Sequence, residues 1–590
     1  MYLKIFMFLL LILIFTIYLF YLTLNSRAFI DPWPLGGVAI ETILVIIAVM
    51  IVVFIIFRHP VAILLFTFYY TFIVLFLPVF KYTNVLYING PWDSVAHYSF
   101  SLWILQYGKI DSHGYTYYAR DYGFHPGNGL IPAMLSLVVH IRLDIIMDLL
   151  LFISYLNYLI FIYISIINLL YKNLDSFGFK DYVVLITVIT TLIYVDPYYS
   201  GGTLVFGVVG ALLYIFLTSI LRHNDLYLST NSIILFSILY GGVLLIHLST
   251  AVITFAFIFF AVLLNAMIIR SKRQIYLLYL ITLIFLVYEL FVDYILFGAT
   301  LVPAISRVLH AYVQEVQLAH FAISYRRLSL VELLLFALSY YGKILLIPIV
   351  LFLILLYTLY RVLKEKHNYL LKFLTSVYIA SLLTWIIGWA GVGSLLSGRR
   401  ALFVISFVGV VLLVYLIYSS KNPLFKLRNI QISLLFVIVF LVTFLSSFGL
   451  PLKLTMVSEE GEYSWPTIYQ GGFSIYSFHS IMFLNSLKSG LPYLCLQPFT
   501  AFGLCDLLWN RPKIPMHGFI APEVTQPREI IELVKRYANY SNDVIFPLPL
   551  GDVMPGPLGY RLLYLIPYSY LVNSSNSLIY NNGYYLLFVI

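Results

Sequence analysis

Asp93 and His97 stand one helical turn apart in "GPWDSVAHY" (90–98), in a chain where charged residues are scarce at 10% and hydrophobic ones make up 62%. A carboxylate and an imidazole at i and i+4 share one face of a helix. A carboxylate in reach of a hydroxyl can take its proton as general base, and an imidazole beside it can orient the carboxylate or touch an anion. The competing role for Asp93 is a helix N-cap, where the dipole holds an aspartate ionised. Other polar residues invite the same question. Arg399 and Arg400 (in "GVGSLLSGRRALF", 391–403) pair two planar guanidinium forks, which suit phosphate or snorkel to lipid headgroups. Glu289 and Asp293 lie one turn apart inside an apolar run, where acids line cavities, serve proton or cation coupling, or bury in the bundle. His125, in "HPGNG", would bind an acceptor or cap its helix. Arg326 and Arg327 are weaker candidates for an anion, and His247 in "LIHLST" reads as structural.

The elements that must position these groups are membrane helices. A mean hydropathy of +0.97 over 590 residues lies far outside the soluble range. The apolar residues fall in runs of about 17 to 28, the length that crosses a ~30 Å hydrocarbon core as helix. Lipid leaves no partner for a bare peptide group, so such runs are helical; a barrel would show short alternating segments. About 13 spans follow from these run lengths: 3–24, 38–57, 60–80, 145–171, 182–197, 203–221, 231–247, 250–269, 275–297, 332–358, 370–390, 401–418 and 430–449. The first run is too long for a signal-peptide core and no cleavage site follows, so it reads as a retained anchor.

A cytoplasmic N-terminus makes the basic connections inner ones, among them "RSKR" (270–273) and "RVLKEKHNYLLK" (361–372). That positive-inside pattern accounts for the formal charge of +9 without a nucleic-acid partner. The expected location is the cell (cytoplasmic) membrane, multi-pass. An odd number of spans leaves the tail outside, where both glycosylation sequons, at Asn539 and Asn573, fall. The expected fold is therefore an all-α polytopic membrane protein (1–449) with a small extracytoplasmic α/β C-terminal domain (450–590). In that tail "PREIIELVKRYANY" (527–540) reads as a helix, "DVIFPLPL" (543–550) as a strand and "SLIYNNGYYLLFVI" as a hairpin. Cys495 and Cys505 are either a disulfide closing a short loop or two free thiols.

Two further regions lie outside. Region 301–330 is partly amphipathic and suits the interface. The first large outer loop, 81–144, predicts an amphipathic helix from Asp93 that Gly108 ends, then a Tyr-rich link, then "HPGNGLIPAMLSLVVH" (125–140). That last segment is too short to span, and Pro126 fits its first turn. No P-loop, dinucleotide fingerprint, Ser/His/Asp spacing or zinc signature is present, and no metal ligands are assigned.

"WDSVAHYSFSLWILQYGKI" followed by "YGFHPGNGLIPAML" resembles the GT-C glycosyltransferases, polytopic enzymes that take sugars from polyprenyl-phosphate carriers. Protein O-mannosyltransferases and aminoarabinose transferases are such enzymes, and the archaeal members write the pattern most similarly. The ending "NNGYYLLFVI" is also similar to theirs. The likeness covers 85–270 in layout. It implies a GT-C-like fold and transfer of a sugar from a polyprenyl- or dolichyl-phosphate donor to a lipid-linked glycan, lipid or protein acceptor. It also implies Asp93 as the base, Arg399 or Arg400 on the carrier phosphate, and His97 and His125 shaping the pocket beside Glu289 and Asp293. Two features depart from the family. Three spans precede the loop instead of one, and Ser94 stands where many members carry a second acid, which leaves a divalent metal possible but unassigned. A transporter or flippase using the same acids for coupling is the alternative from another class, and a non-catalytic relative of the same fold is a third.

Overall fold

The computed structural model describes residues 85–87, 92–110, 125–170, 185, 188–189, 192, 201–221, 229–269, 274–288, 342–365, 367–389, 398–419, and, in the tail, 455–458, 461–464, 472–474, 483, 493–495, 513–515, 545–549, 577–581 and 585–589. Within them the chain forms β1 (Val85–Tyr87), α1 (Trp92–Tyr107), α2 (Gly127–Val139), α3 (Leu143–Leu170), α4 (Gly201–Leu204), α5 (Phe206–Leu221), α6 (Thr230–Ile246), α7 (Leu248–Ile269), α8 (Gln274–Val287), α9 (Gly342–Lys364), α10 (Tyr369–Trp389) and α11 (Gly398–Ser419). The expected spans 3–24, 38–57, 60–80 and 430–449, and region 301–330, lie outside the described residues.

Four stretches among the described residues are long and apolar enough to cross a membrane: Leu143–Leu169, Leu248–Met267, Tyr369–Gly388 and Ala401–Ser419. The helices are apolar on every side, which is what a helix buried in lipid or protein requires. Large side chains such as Ile238, Tyr279, Phe352 and Leu363 point outward and exposed. In water such a girdle would drive aggregation, whereas in lipid it is the solvated face. The protein is a multi-pass helical membrane protein.

Packing fixes the direction of each helix. Gly210 meets Tyr158 and Phe161 packs on Tyr214, so α3 and α5 run parallel. Tyr155 packs on Phe403 and Tyr158 on Phe407, with the Tyr158 hydroxyl donating to the Phe403 carbonyl at 2.6 Å, so α11 runs with them. Ser376, near the start of α10, donates to Asn265, near the end of α7, so that pair is antiparallel. Tyr378 of α10 donates to Leu351 of α9 at 2.7 Å, and the short link 365–368 between these two helices makes them antiparallel as well. Helices joined by a short connection, such as α9 and α10, thus lie antiparallel. At one end α9, α10 and α11 are pinned by a polar clasp. Arg361, buried, donates to Glu365 at 2.6 Å, while Asn368 donates to Glu365 at 3.0 Å and to Tyr415 at 2.9 Å. Part of the basic "RVLKEKHNYLLK" connection is thus structural rather than solvated.

At the opposite end sit α1 and α2. Gly108, at φ 65°, ends α1 as expected. The amphipathic expectation fails, because His97, Tyr98, Ser99, Phe100, Ser101, Trp103 and Ile104 are all buried. Ser99 and Ser101 are small enough to let both sides of α1 pack, so the helix is wedged into protein rather than laid on a surface. α2 is 13 residues, about 20 Å, too short to span. Its first half is buried at Asn128, Gly129, Pro132 and Ala133, and its apolar second half is exposed.

The tail contributes β2 (Thr455–Ser458), β3 (Gly461–Ser464), β4 (Gly472–Ser474), β5 (Tyr493–Cys495), β6 (Lys513–Pro515), β7 (Ile545–Pro549), β8 (Ser577–Asn581) and β9 (Tyr585–Val589). Five of them form a mixed sheet in the order β6-β5-β7-β9-β8. The parallel pairing of β5 with β7 is confined to Tyr493 opposite Ile545. Pro547 and Pro549 follow, and a proline has no N–H to give a ladder. β8 and β9 form the hairpin expected around Asn581, with a bulge between Leu578 and Tyr580. The expected helix 527–540 and Cys505 lie outside the described residues. β1 of the first loop pairs antiparallel with β4 of the tail, Leu86 opposite Phe473, so the loop and the tail are stitched together.

Candidate functional site

α1 and α2 meet the bundle at a junction built by small residues. A Cβ on Gly129 would overlap the Phe100 ring, so only glycine lets α2 lie this close to α1. A Cβ on Gly201 would come within 2.8 Å of His247 and 2.9 Å of the Asn128 amide. The corner between α4 and α5, the start of α2 and the α6–α7 turn therefore converge on one spot.

His97 is buried there, and its Nε2 accepts the Gly201 N–H at 3.0 Å. The ring ties α1 to the start of α4 by accepting an N–H, a partner that the sequence did not suggest. His247 starts α7: its Nδ1 accepts the Thr250 N–H at 3.2 Å and lies 2.8 Å from the Thr250 hydroxyl. That is a capping role, in keeping with the structural reading.

His125 is buried as well. It makes no capping bond to α2, whose first turn opens at Pro126 with no side-chain cap. Its Nδ1 lies 2.6 Å from the Leu244 carbonyl, and its ring stacks on Tyr288 at 5.6 Å between centroids. Burial drives its pKa down to about 4, against a smaller upward pull from the Leu244 carbonyl, so the imidazole is neutral at physiological pH.

The remaining candidates are known by position only. Asp93 stands in the first turn of α1, one turn before His97, and Arg399 and Arg400 stand in the first turn of α11; none of the three side chains is among the described ones. Glu289 and Asp293 lie outside the described residues, Glu289 directly following Tyr288. The backbone nevertheless links the elements. Gly201, held by His97, leads into Phe206, and Phe206 packs on Phe403, one turn after Arg399 and Arg400.

Sequence reading missed Gly201 and Tyr288, which no motif marks, and Asn128, which stands inside the "HPGNG" stretch without a role of its own. It also missed acids that a helical spacing did mark: Asp144 and Asp148, one turn apart at the start of α3 and both buried. Arg142 closes on Asp144 at 2.6 Å, and its hydrogen bonds to that carboxylate raise the guanidinium pKa further. Tyr98 of α1 lies near this pair; burial, with the Asp144 charge second, pushes its phenol pKa up.

No family model and no curated protein matches the chain. In structure it is similar to ArnT from Cupriavidus metallidurans, solved bound to undecaprenyl phosphate. The identity is 11% and the TM-score 0.42, over 93% of this chain and 98% of that one. It is also similar to the oligosaccharyltransferase of Archaeoglobus fulgidus. The apo form gives 13% identity and a TM-score of 0.49, over 82% of this chain and 69% of that one. The complex with zinc and sulfate gives 14% and 0.47, over 82% and 67%. Both neighbours are GT-C glycosyltransferases, the superfamily that the first-loop motif resembles. At such identities and scores the likeness carries no chemistry, which rests on this chain's own residues.

Proposed function

We propose that the protein is a GT-C-type glycosyltransferase that moves a sugar from a polyprenyl- or dolichyl-phosphate donor to a hydroxyl of a lipid-linked glycan, lipid or protein. It would do so on the outer face of the membrane. About 13 spans (1–449) would carry the extracytoplasmic domain 450–590, with the N-terminus in the cytoplasm. The pairing of β1 with β4 supports a tail on the same side as the first loop.

The observation that carries the reading is the tether from α1, through His97, to the Gly201 corner beside the start of α11. It supports a hollow flanked by the helix bearing Asp93 and the helix opening with Arg399 and Arg400. From Phe206 to its far end α5 has 16 residues, about 24 Å, a little less than the ~30 Å hydrocarbon core. The corner would then sit just under the outer headgroups, the depth at which a donor tethered by its tail presents its phosphate.

In the reaction Asp93 takes the acceptor's hydroxyl proton as the oxygen attacks the anomeric carbon. The bond from that carbon to the phosphate oxygen breaks, and polyprenyl phosphate leaves. Arg399 or Arg400 offsets the growing phosphate charge in a low-dielectric hollow. His97 and His125 shape the pocket, and Glu289 and Asp293 would line it.

Purified protein in proteoliposomes, given a panel of labelled polyprenyl-phosphate sugars and a membrane lipid extract, tests the reading. Label appearing in a product with release of polyprenyl phosphate supports it. Label crossing the bilayer with the donor intact would favour a flippase and refute transfer.

A further inference from the structure

The His125 ring is asymmetric in a way the reaction scheme above does not use. A carbonyl oxygen only accepts, so the 2.6 Å contact with Leu244 requires the proton on Nδ1. Nε2 of the neutral ring is then an acceptor. It is buried and has no hydrogen-bond partner among the described residues. An unsatisfied buried acceptor is costly, so native structures rarely keep one idle. Two constraints keep the ring from turning to find a partner. Tyr288 stacks on one face at 5.6 Å, and the Leu244 bond fixes the edge.

We propose that His125 Nε2 is a receptor for an uncharged hydroxyl of the sugar or of its acceptor, and that it does not bind the carrier phosphate. The assignment rests on the glycosyltransferase reading and gives that pocket its polarity. A lone pair facing a phosphate oxygen repels it, whereas a hydroxyl donates to it. Phosphate is left to arginine, and His125 discriminates between polyols by where a hydroxyl stands. Its neutrality is what keeps the acceptor available, since a doubly protonated ring would present a donor and attract the anion instead.

The test uses the full chain, histidine-labelled with nitrogen-15, in lipid nanodiscs, with two variants. His125→Asn keeps a donor for Leu244 and removes the distal acceptor. His125→Gln carries an acceptor at the Nε2 position and lacks the Nδ1 donor. The resonance lost in both variants is His125, and its shifts report the tautomer. Titration with neutral alkyl glycosides of glucose, mannose and galactose should move the Nε2 resonance with at least one sugar, and decyl phosphate should not move it. Affinity for that glycoside should fall roughly two- to tenfold in the Asn variant and recover in the Gln variant. A proton found on Nε2, a response to decyl phosphate, or no response to any glycoside overturns the proposal. A merely structural histidine would show the reverse ranking, with Asn tolerated and Gln impaired. Binding is read without turnover, so an inactive protein that still shows the glycoside response would sink the transferase reading and leave the His125 assignment standing.

Discussion

Replacing His97 by leucine should loosen the corner that ties the first loop to the bundle. Leucine fills much of the same buried space, so the cavity contribution is small, and the substitution removes the acceptor of the Gly201 N–H. The Gly201 N–H would then be buried with no partner, at a cost of about 1–3 kcal/mol. At 1.4 kcal/mol per tenfold, opening of that amide should rise roughly 5- to 150-fold. Hydrogen–deuterium exchange of the 201–206 segment in nanodiscs reads this directly, because exchange reports local opening. His97→Gln places an amide oxygen near the former Nε2 position and should return most of the protection. Sugar transfer should fall with loosening, since α1 also carries Asp93. Equal exchange in wild type and both variants would mean that the His97–Gly201 bond does not hold the corner, and the tether would have to be abandoned.

Gly129→Ala should destabilise the protein by about 1–3 kcal/mol through overpacking against Phe100, and Phe100→Leu in the same chain should recover part of it, as a double-mutant cycle in detergent would show. Glu365→Gln leaves Arg361 buried beside a neutral group; a buried pair would cost about 3–5 kcal/mol to break, but Glu365 is about a third exposed, so a loss nearer 1–2 kcal/mol is expected, with Arg361→Met restoring it. For His125 the folded pKa lies below the unfolded one, at about 4 against 6.5. Its contribution is therefore intact above pH 6.5 and declines as pH falls toward 4, where only the unfolded chain takes the proton. Denaturation between pH 7 and 4 should lose up to roughly 3 kcal/mol that His125→Asn does not lose.

Run length and polarity make the described helices legible in the sequence. The β8–β9 hairpin was legible for the same local reason, because an Asn-Asn-Gly turn between two apolar runs leaves few alternatives. α1 was readable as a helix but not as a buried one. Its serines look polar in sequence and act as small side chains in packing, a distinction only neighbours decide. The bond from Gly201 to His97 is unreadable because an acceptor for a backbone N–H more than a hundred residues away leaves no mark in spacing. Asp144 and Asp148 carry the same one-turn spacing as Asp93 and His97, but they stand at the start of a long apolar run with no polar motif around them. Glycine's role at 129 and 201 depends on how close two helices come, which composition does not encode.

The proposed chemistry depends above all on Asp93. Asp93→Asn keeps the size and shape of the side chain and removes the base. In proteoliposomes supplied with polyprenyl-phosphate sugar and acceptor lipids, transfer should drop by about 10²–10⁴-fold while donor binding and thermal stability stay near wild type. Transfer at the wild-type rate by a folded Asp93→Asn variant would contradict that role.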